Sequence, residues 1–266
     1  MASSSIKSAY LNGIRDGAPF ILVIIPFAML FGVLATLILR GPERLISGQA
    51  RPVTSGITPI VCRLLLWIIG IRLTLTGEVM QRGGAVVANH SSWLDILVLN
   101  ARKRIYFVSK AEVANWPGIG FLARLTGTVF ITRRSRDAAK QKNIFHERLS
   151  LGHRLLFFPE GTSTDGLRVV SFKSTLFQAF FAPELRDEIA LQPVTAVFKA
   201  PVGQDADFYG WWGEMDLGPH LLKVLAHPRR GQVDVICHAP LYVRDFSDRK
   251  ALAKACEDAV SSPFQD

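Results

Sequence analysis

The feature that constrains this chain most is an uncharged, almost wholly apolar stretch near its amino terminus, residues 18–39. A helix of this length is long enough to cross the hydrocarbon core of a bilayer. Pro26 and Gly32 would kink such a helix without excluding it. A cleaved signal peptide is the rival interpretation, but its apolar region is shorter than this one. We therefore predict a retained membrane anchor.

The charges on either side of the apolar stretch predict its orientation. Lys7 and Arg15 precede it, and a larger set of basic residues follows it. The residues that follow are Arg40, Arg44, Arg51 and Arg63. Because loops rich in Lys and Arg stay on the cytoplasmic side of a membrane, we expect the rest of the chain on the cytoplasmic side of the inner membrane.

A second apolar patch, residues 64–71, is too short to cross a bilayer. Two interpretations stay open for it. It could form an interfacial helix with Trp67 at the level of the lipid head groups. It could equally form a buried helix that packs on the following domain.

From residue 73 onward, strand patterns alternate with helix patterns. The candidate strands are residues 85–88, 105–108, 128–132, 155–158, 191–198 and 233–237. The candidate helices are residues 93–101, 111–125, 136–151, 173–181, 220–226 and 248–260. This alternation predicts an α/β fold, with a mostly parallel sheet flanked by helices and with N-terminal membrane-anchoring helices. We place the anchor helices and a linker (residues 41–57) in 1–72, and the α/β domain in 73–266.

The composition indicates the kind of partner. The formal net charge is +9, the calculated pI is near 9.8, and 49% of the residues are hydrophobic. So basic a chain favours an anionic partner, and its high mean hydropathy favours an anionic membrane surface over nucleic acid. We therefore expect no nucleic-acid partner. The three scattered cysteines form no disulfide framework and are typical of a reducing compartment.

A histidine and an aspartate stand where a predicted buried strand gives way to a predicted helix. The segment reads Asn-His-Ser-Ser-Trp-Leu-Asp, with His90 on the turn and Asp95 in the first helical turn. One interpretation is that Ser92 is the helix N-cap and that Asp95 only complements the helix dipole. The other is that the Asp95 carboxylate accepts a hydrogen bond from His90 and fixes the direction of the ring.

Polar residues also follow another predicted strand, 155–158. Pro159 ends this strand, and Glu160, Gly161 and Thr162 come next. A carboxylate, a glycine and a hydroxyl at the carboxyl end of a parallel strand are typical of a binding loop. The alternative is a turn whose glutamate is merely solvated.

Basic residues recur just after the predicted strands. Arg133 and Arg134 follow residues 128–132, Lys110 follows residues 105–108, and Lys173 follows the Pro-Glu-Gly segment. An arginine at a strand end can bind a phosphate through two hydrogen bonds. The alternative is an exposed basic strand end, which is common in a chain of this charge.

Taken together, these blocks resemble the glycerophospholipid acyltransferases of the bacterial 1-acyl-glycerol-3-phosphate acyltransferase type. The resemblance covers residues 73–240 and consists of four motifs in the family's order. The motifs are His-x4-Asp at His90 and Asp95, Gly-x-x-Phe-Ile-x-Arg at Gly127, Phe130, Ile131 and Arg133, Phe-Pro-Glu-Gly-Thr at Phe158 to Thr162, and Pro-Val at Pro193 and Val194.

The resemblance implies an enzyme on a membrane that moves an acyl group directly from a thioester to the hydroxyl of a lysolipid. The donor would be acyl-CoA or acyl carrier protein, and no cofactor or metal would be needed. His90 would be the general base and Asp95 would orient it, a contribution of about 10²–10⁴-fold. The expected substrate-binding residues are Lys110, Gly127, Phe130, Arg133, Glu160, Gly161, Thr162 and Lys173.

One position departs from the family pattern. Ser163 stands where the family commonly has an arginine that helps hold phosphate. Residues 164–168 and 213–217 are similar to a branch that includes lyso-ornithine lipid acyltransferases. Our first hypothesis for the acceptor is 1-acyl-glycerol-3-phosphate, which would give phosphatidic acid, and the alternative is a lyso-ornithine lipid.

Three further hypotheses stay open. A lipid hydrolase would use the His-Asp pair to activate water instead of an alcohol. A non-catalytic protein would bind an anionic membrane through its basic surface. A metal site formed by His90, Asp95 and Glu160 is the third.

Overall fold

The fold is known from a computed structural model that describes residues 18–81, 83–132 and 138–265. Its centre is an eight-stranded sheet. The strands are β1 (Arg72–Thr76), β2 (Gly84–Ala88), β3 (Tyr106–Lys110), β4 (Val129–Ile131), β5 (Arg154–Phe157), β6 (Ala190–Lys199), β7 (Gln232–Cys237) and β8 (Leu241–Tyr242). The helices are α1 (Ala18–Ser47), α2 (Ile57–Ile69), α3 (Leu94–Asn100), α4 (Ile119–Thr126), α5 (Ala138–Ser150), α6 (Pro183–Arg186), α7 (Leu217–Ala226) and α8 (Arg249–Ser261).

The strand order is β1-β7-β6-β2-β5-β3-β4, with β8 paired to β6. Strands β2 to β6 run parallel to one another, whereas β1, β7 and β8 run the opposite way. This confirms the predicted mostly parallel α/β sheet. Because β2 and β5 are parallel neighbours with Val87 opposite Phe157, the loops that follow them leave the same edge of the sheet side by side.

Strand β2 is buried along its whole length because both faces of the sheet are covered. Val86 and Ala88 belong to a core that includes residues of α2, α3 and α7. Ala85 and Val87 belong to a second core on the other face, which includes residues of α5 and α8. Side chains alternate across a strand, so a fully apolar sequence is what a doubly covered strand requires.

The predicted strands are found at their expected places, but β1 and β8 were missed. In β1 the exposed and half-buried residues alternate, because it is the edge strand. The predicted helix 111–125 is a 3₁₀ helix (Ala111–Asn115) followed by α4, interrupted at Pro117 and at Gly118 with its φ of 71°. The predicted helix 173–181 is a 3₁₀ helix, Leu176–Phe181.

Helix α1 continues to Ser47 and so takes up part of the segment predicted as a linker. It packs against α2, and an added Cβ at Gly32 would lie 2.6 Å from Val61 Cγ2. The turn between the two helices is closed by Glu43. Its Oε1 accepts hydrogen bonds from the backbone N–H groups of Val53 (2.6 Å) and Thr54 (2.9 Å).

Helices α1 and α2 together expose an apolar surface. Among the described residues, α1 is the helix long and apolar enough to cross a membrane by length and composition. In α2, Leu66 and Ile69 are buried against the domain, whereas Trp67 is 78% exposed. The prediction that this helix packs on the following domain is confirmed, and its position at a membrane interface stays a prediction. The large exposed apolar side chains of the two helices include Phe27, Phe31, Ile38, Ile60, Leu64 and Trp67.

Candidate active site

The predicted pair meets at the carboxyl end of β2. His90 lies on the loop after this strand and Asp95 lies in the first turn of α3, with 2.7 Å between His90 Nδ1 and Asp95 Oδ2. Asp95 is fully buried. A hydrogen on Nδ1 that is donated to the carboxylate leaves the lone pair of Nε2 as the acceptor nitrogen of the ring. Among the described residues, Nε2 has no hydrogen-bond partner.

Asp95 also caps the start of the helix, although not in the predicted way. Helix α3 begins at Leu94, and the Ser92 side chain makes no capping bond. Instead, Asp95 Oδ2 accepts hydrogen bonds from the backbone N–H groups of Ser91 (2.8 Å) and Ser92 (2.9 Å). The prediction of Ser92 as N-cap was wrong, because the turn aims these N–H groups at the carboxylate. Asp95 therefore contacts the His90 ring and also binds the backbone at the start of the helix, so the interpretation that it serves only the helix is wrong.

Glu160 lies beside this pair but faces the protein backbone. Its Oε1 accepts a hydrogen bond from the N–H of His90 (2.6 Å), and its Oε2 accepts one from the N–H of Val170 (2.9 Å). The side chain is 1% exposed. Burial raises the pKa of this carboxyl from 4.5 to about 7, although the two N–H bonds act in the opposite direction. The interpretation of Glu160 as a solvated turn residue is thus wrong.

The loop after β5, residues 158–170, which we name the motif loop, holds His90 at two more points. The carbonyl oxygen of His90 accepts hydrogen bonds from Thr164 N (2.9 Å) and Thr164 Oγ1 (3.2 Å). The Phe158 ring stacks on the imidazole with 4.2 Å between ring centroids and 10° between planes. The backbone and the ring of His90 are therefore both set by this one loop.

Asn89 joins the loop after β2 to the neighbouring strand β6. Its Nδ2 donates to the carbonyl of Ala196 (3.0 Å), and its Oδ1 accepts from the N–H of Ala196 (2.8 Å). Asn89 is fully buried. Loss of the side chain would leave both backbone groups of Ala196 without these partners.

We predict that Asn89→Ala lowers the free energy of unfolding by about 2–4 kcal/mol, because two buried polar groups lose their hydrogen bonds. Urea unfolding followed by circular dichroism measures this. Asn143→Ala, on the exposed side of α5, is the matched control and should change the value by less than about 0.5 kcal/mol. Equal effects of the two substitutions would contradict the assigned contacts.

Several predicted binding residues lie at the same edge of the sheet as His90. Lys110 is the exposed last residue of β3. Gly161 and Thr162 follow Glu160 directly in the motif loop, and Gly161 has a φ of 76° that favours glycine. Lys173 is exposed, and its N–H donates to the carbonyl of Pro159 (3.0 Å).

The residues of the Gly-x-x-Phe-Ile-x-Arg motif do not all lie at the edge of the sheet that carries His90. Gly127 comes before β4, so it lies at the opposite edge of the sheet from His90. The expectation that it binds substrate is corrected here: its φ of 86° ends α4, and a Cβ would lie 3.1 Å from the Tyr106 ring. Phe130 is half-buried in the edge strand β4. The predicted phosphate ligand Arg133 lies outside the described residues.

Some residues of the site were not predicted. No role was predicted for Asn89 or Thr164, because their hydrogen-bond partners are distant along the chain. A segment before α7 also reaches the site, where Trp211 N–H donates to the carbonyl of Ser91 (2.8 Å). Among the described residues, no group of three His, Cys, Asp or Glu side chains is placed to hold a metal ion.

Comparison with known proteins agrees with this geometry. The sequence model of the family described as Acyltransferase matches residues 72–197. The chain is 53% identical over 234 residues to the lyso-ornithine lipid O-acyltransferase of Rhodobacter capsulatus, covering 88% of this chain and 85% of that protein. It is 38% identical over 112 residues to the 1-acyl-sn-glycerol-3-phosphate acyltransferase of Neisseria gonorrhoeae, covering 42% and 44%.

A solved structure shares the fold. The crystal structure of the 1-acyl-sn-glycerophosphate acyltransferase of Thermotoga maritima matches with a TM-score of 0.65 at 20% identity, and the match covers 100% of this chain and 97% of that one. The motifs, the sheet and these comparisons define an acyltransferase. The chain belongs to the acyltransferase family.

Proposed function

We propose that the protein transfers a fatty acyl group from a thioester to the hydroxyl of a lyso-ornithine lipid. The observation that carries this is the 53% identity to a lyso-ornithine lipid O-acyltransferase across 88% of the chain. The 1-acyl-sn-glycerol-3-phosphate acyltransferase matches over only 42% of it. This reverses the order of the two acceptors that the motifs alone favoured, and 1-acyl-glycerol-3-phosphate becomes the second candidate.

The geometry of His90 supports a direct transfer. Nε2 accepts the proton of the lysolipid hydroxyl while the oxygen attacks the thioester carbonyl carbon. The C–S bond then breaks, and the thiol takes the proton from the imidazolium. Asp95, 2.7 Å from Nδ1, stabilises the imidazolium and holds the ring in the required tautomer. No acyl-enzyme is needed in this sequence of steps.

The motif loop supports an acceptor without a phosphate. An ornithine head group carries an ammonium and a carboxylate, whereas 1-acyl-glycerol-3-phosphate carries a phosphate that an arginine would bind well. Ser163 occupies the position at which the resemblance to the family leads us to expect that arginine. A serine there removes one cation from the loop and leaves the phosphate less strongly held.

An acceptor panel tests the proposal. Purified protein in detergent micelles is given acyl-CoA or acyl carrier protein as donor, with each lysolipid in turn. We expect acylation of lyso-ornithine lipid with kcat/KM at least tenfold above that for 1-acyl-glycerol-3-phosphate, and a smaller ratio for Ser163→Arg. A higher kcat/KM with 1-acyl-glycerol-3-phosphate would replace the first acceptor by the second. Release of free fatty acid at the same rate without acceptor would indicate a hydrolase.

We also propose that α1 and α2 bind the membrane and that the α/β domain lies on its cytoplasmic side. The exposed apolar surface of the two helices supports the first part. The excess of arginines after residue 39 supports the second part. A lipid acceptor in the bilayer requires such a position, because its hydroxyl has to reach His90 from the membrane surface.

We predict that replacing Phe27, Phe31 and Trp67 together by serine lowers the fraction of protein that floats with phosphatidylglycerol-containing liposomes by at least tenfold. These rings are 67%, 74% and 78% exposed, and burial of one such ring in a bilayer contributes about 1.5–3 kcal/mol. Val202→Ser, at an 80% exposed position of the α/β domain, is the matched control. Flotation of the triple variant like wild type would contradict this membrane surface.

A further inference from the structure

We propose that Glu160 is a positioning residue that holds the backbone of His90, and not a ligand of the acceptor head group. The resemblance to the family leads to the opposite expectation, with Glu160 at the acceptor. The inference rests on the proposed function, because it concerns the same site. Beyond the identity of the acceptor, it addresses what the Phe-Pro-Glu-Gly-Thr motif contributes to the reaction.

The direction of the carboxylate is the first argument. Both oxygens of Glu160 are already bonded within the protein, one to the N–H of His90 at 2.6 Å and the other to the N–H of Val170 at 2.9 Å. The side chain is 1% exposed. A group that binds an ammonium or hydroxyl of a lipid must present an oxygen to the solvent side of the site. Glu160 presents neither of its two oxygens there, because both are bonded to the backbone.

The motif loop binds both backbone polar groups of His90, its N–H and its carbonyl. Glu160 accepts from the N–H of His90, while Thr164 donates to its carbonyl from N (2.9 Å) and Oγ1 (3.2 Å). Asp95 meanwhile fixes the ring through Nδ1. Glu160 thus fixes the position of the His90 backbone, and Asp95 fixes the orientation of its ring. An error of about 1 Å in such a position costs about 100-fold in rate.

The charge of Glu160 is the third argument. An ionised carboxylate has two oxygens that accept N–H bonds, but a protonated one carries a hydrogen on one oxygen, which opposes the N–H aimed at it. The titratable groups that act on Glu160 among the described residues are His90 and Asp95. Burial raises the pKa of Glu160 to about 7, so the carboxylate that accepts both bonds is lost as the pH falls through neutrality.

The test compares Glu160→Gln with wild type in the acceptor assay. The amide is nearly isosteric, but it places an N–H₂ against one of the two backbone N–H groups. We expect kcat to fall about 10- to 100-fold with KM for the lysolipid changed less than threefold. A rise in KM for the lysolipid with kcat unchanged would overturn the proposal and return Glu160 to the head group.

Glu43→Gln is the matched control. Glu43 is also a buried glutamate that accepts two backbone N–H bonds, from Val53 and Thr54, but it lies in α1 and holds the turn that leads to α2. It should lower the unfolding temperature without lowering kcat per folded molecule. An equal loss of kcat in both variants would mean that Glu160 acts only through general stability, and the proposal would fail.

The pH profile adds a readout that a purely structural role would not change. In wild type, log kcat should fall more steeply on the acid side than in Glu160→Gln, because Glu160 takes up a proton as the pH falls through about 7. In Glu160→Gln this contribution should be absent, because the amide does not titrate. Unchanged slopes in the two proteins would contradict the proposal.

Thermal unfolding tests the buried charge without any turnover. Between pH 5 and 7 the native state keeps a proton on Glu160 that the unfolded state has released, since the pKa is about 7 against 4.5. Stability therefore falls as the pH rises through this range. The unfolding temperature of wild type should fall relative to that of Glu160→Gln from pH 5 to 7. Parallel curves of unfolding temperature against pH for the two proteins would contradict the buried, titrating Glu160 on which the proposal depends. Wild-type protein that is inactive on every lysolipid would instead contradict the proposed function.

Discussion

Replacing His90 by alanine is expected to lower kcat for acyl transfer by about 10²–10⁴-fold, because the lysolipid hydroxyl loses the base that accepts its proton. The imidazole lies at the end of β2, with Nδ1 bonded to Asp95 and its face against Phe158. The KM for the lysolipid should change little, since the ring acts on the reacting hydroxyl. Transfer of labelled acyl chains to lyso-ornithine lipid measures both constants.

His146→Ala is the control for this experiment, because His146 is an exposed histidine on α5. It should leave kcat within about twofold of wild type. If the His90→Ala protein, shown by circular dichroism to be folded, transferred acyl chains at more than half the wild-type rate, general-base catalysis by His90 would be excluded. A non-catalytic membrane-binding protein would then be the better hypothesis.

Asp95→Asn is expected to lower kcat by about 10²–10⁴-fold for a different reason. The neutral amide cannot stabilise the imidazolium, and its N–H₂ group can face His90 and favour the wrong tautomer. The same oxygen also accepts the N–H groups of Ser91 and Ser92, so the substitution should lower the unfolding free energy by about 1.5–3 kcal/mol. Kinetics and urea unfolding of one preparation measure both effects.

Asp234→Asn is the matched control for the loss of a carboxylate. Asp234 lies in β7, two strands from β2 in the sheet, and pairs with Lys199 at 2.6 Å. This partly exposed pair should contribute at most about 1 kcal/mol and nothing to kcat. A normal kcat for Asp95→Asn would show that His90 keeps its tautomer without the carboxylate, and the role given to Asp95 would be wrong.

The sequence predicted the elements that depend on local pattern. The apolar β2, the turn at His90 and the helix after it follow from hydrophobicity and from the residues at the strand end. The pairing of His90 with Asp95 was predictable because both belong to one short strand–turn–helix segment. The meeting of this segment with Glu160 followed from parallel strands, whose carboxyl ends share an edge.

What the sequence could not predict depends on contacts between distant residues. The direction of the Glu160 carboxylate is set by the N–H of His90, seventy residues away along the chain. Gly127 belongs to a motif that resembles the family pattern, yet strand direction places it at the opposite edge. The edge strand β1 was missed because it alternates exposed and half-buried residues and lacks the continuous apolar run of a central strand.

Transfer from a radiolabelled acyl thioester tests the central claim most directly. Wild type and His90→Ala are each mixed with the labelled donor, with and without lyso-ornithine lipid, and the products are separated within one turnover. Direct transfer predicts label in ornithine lipid only when wild type and acceptor are both present, with no label on the protein. Label bound covalently to wild type without acceptor, or equal ornithine lipid from His90→Ala, would contradict it.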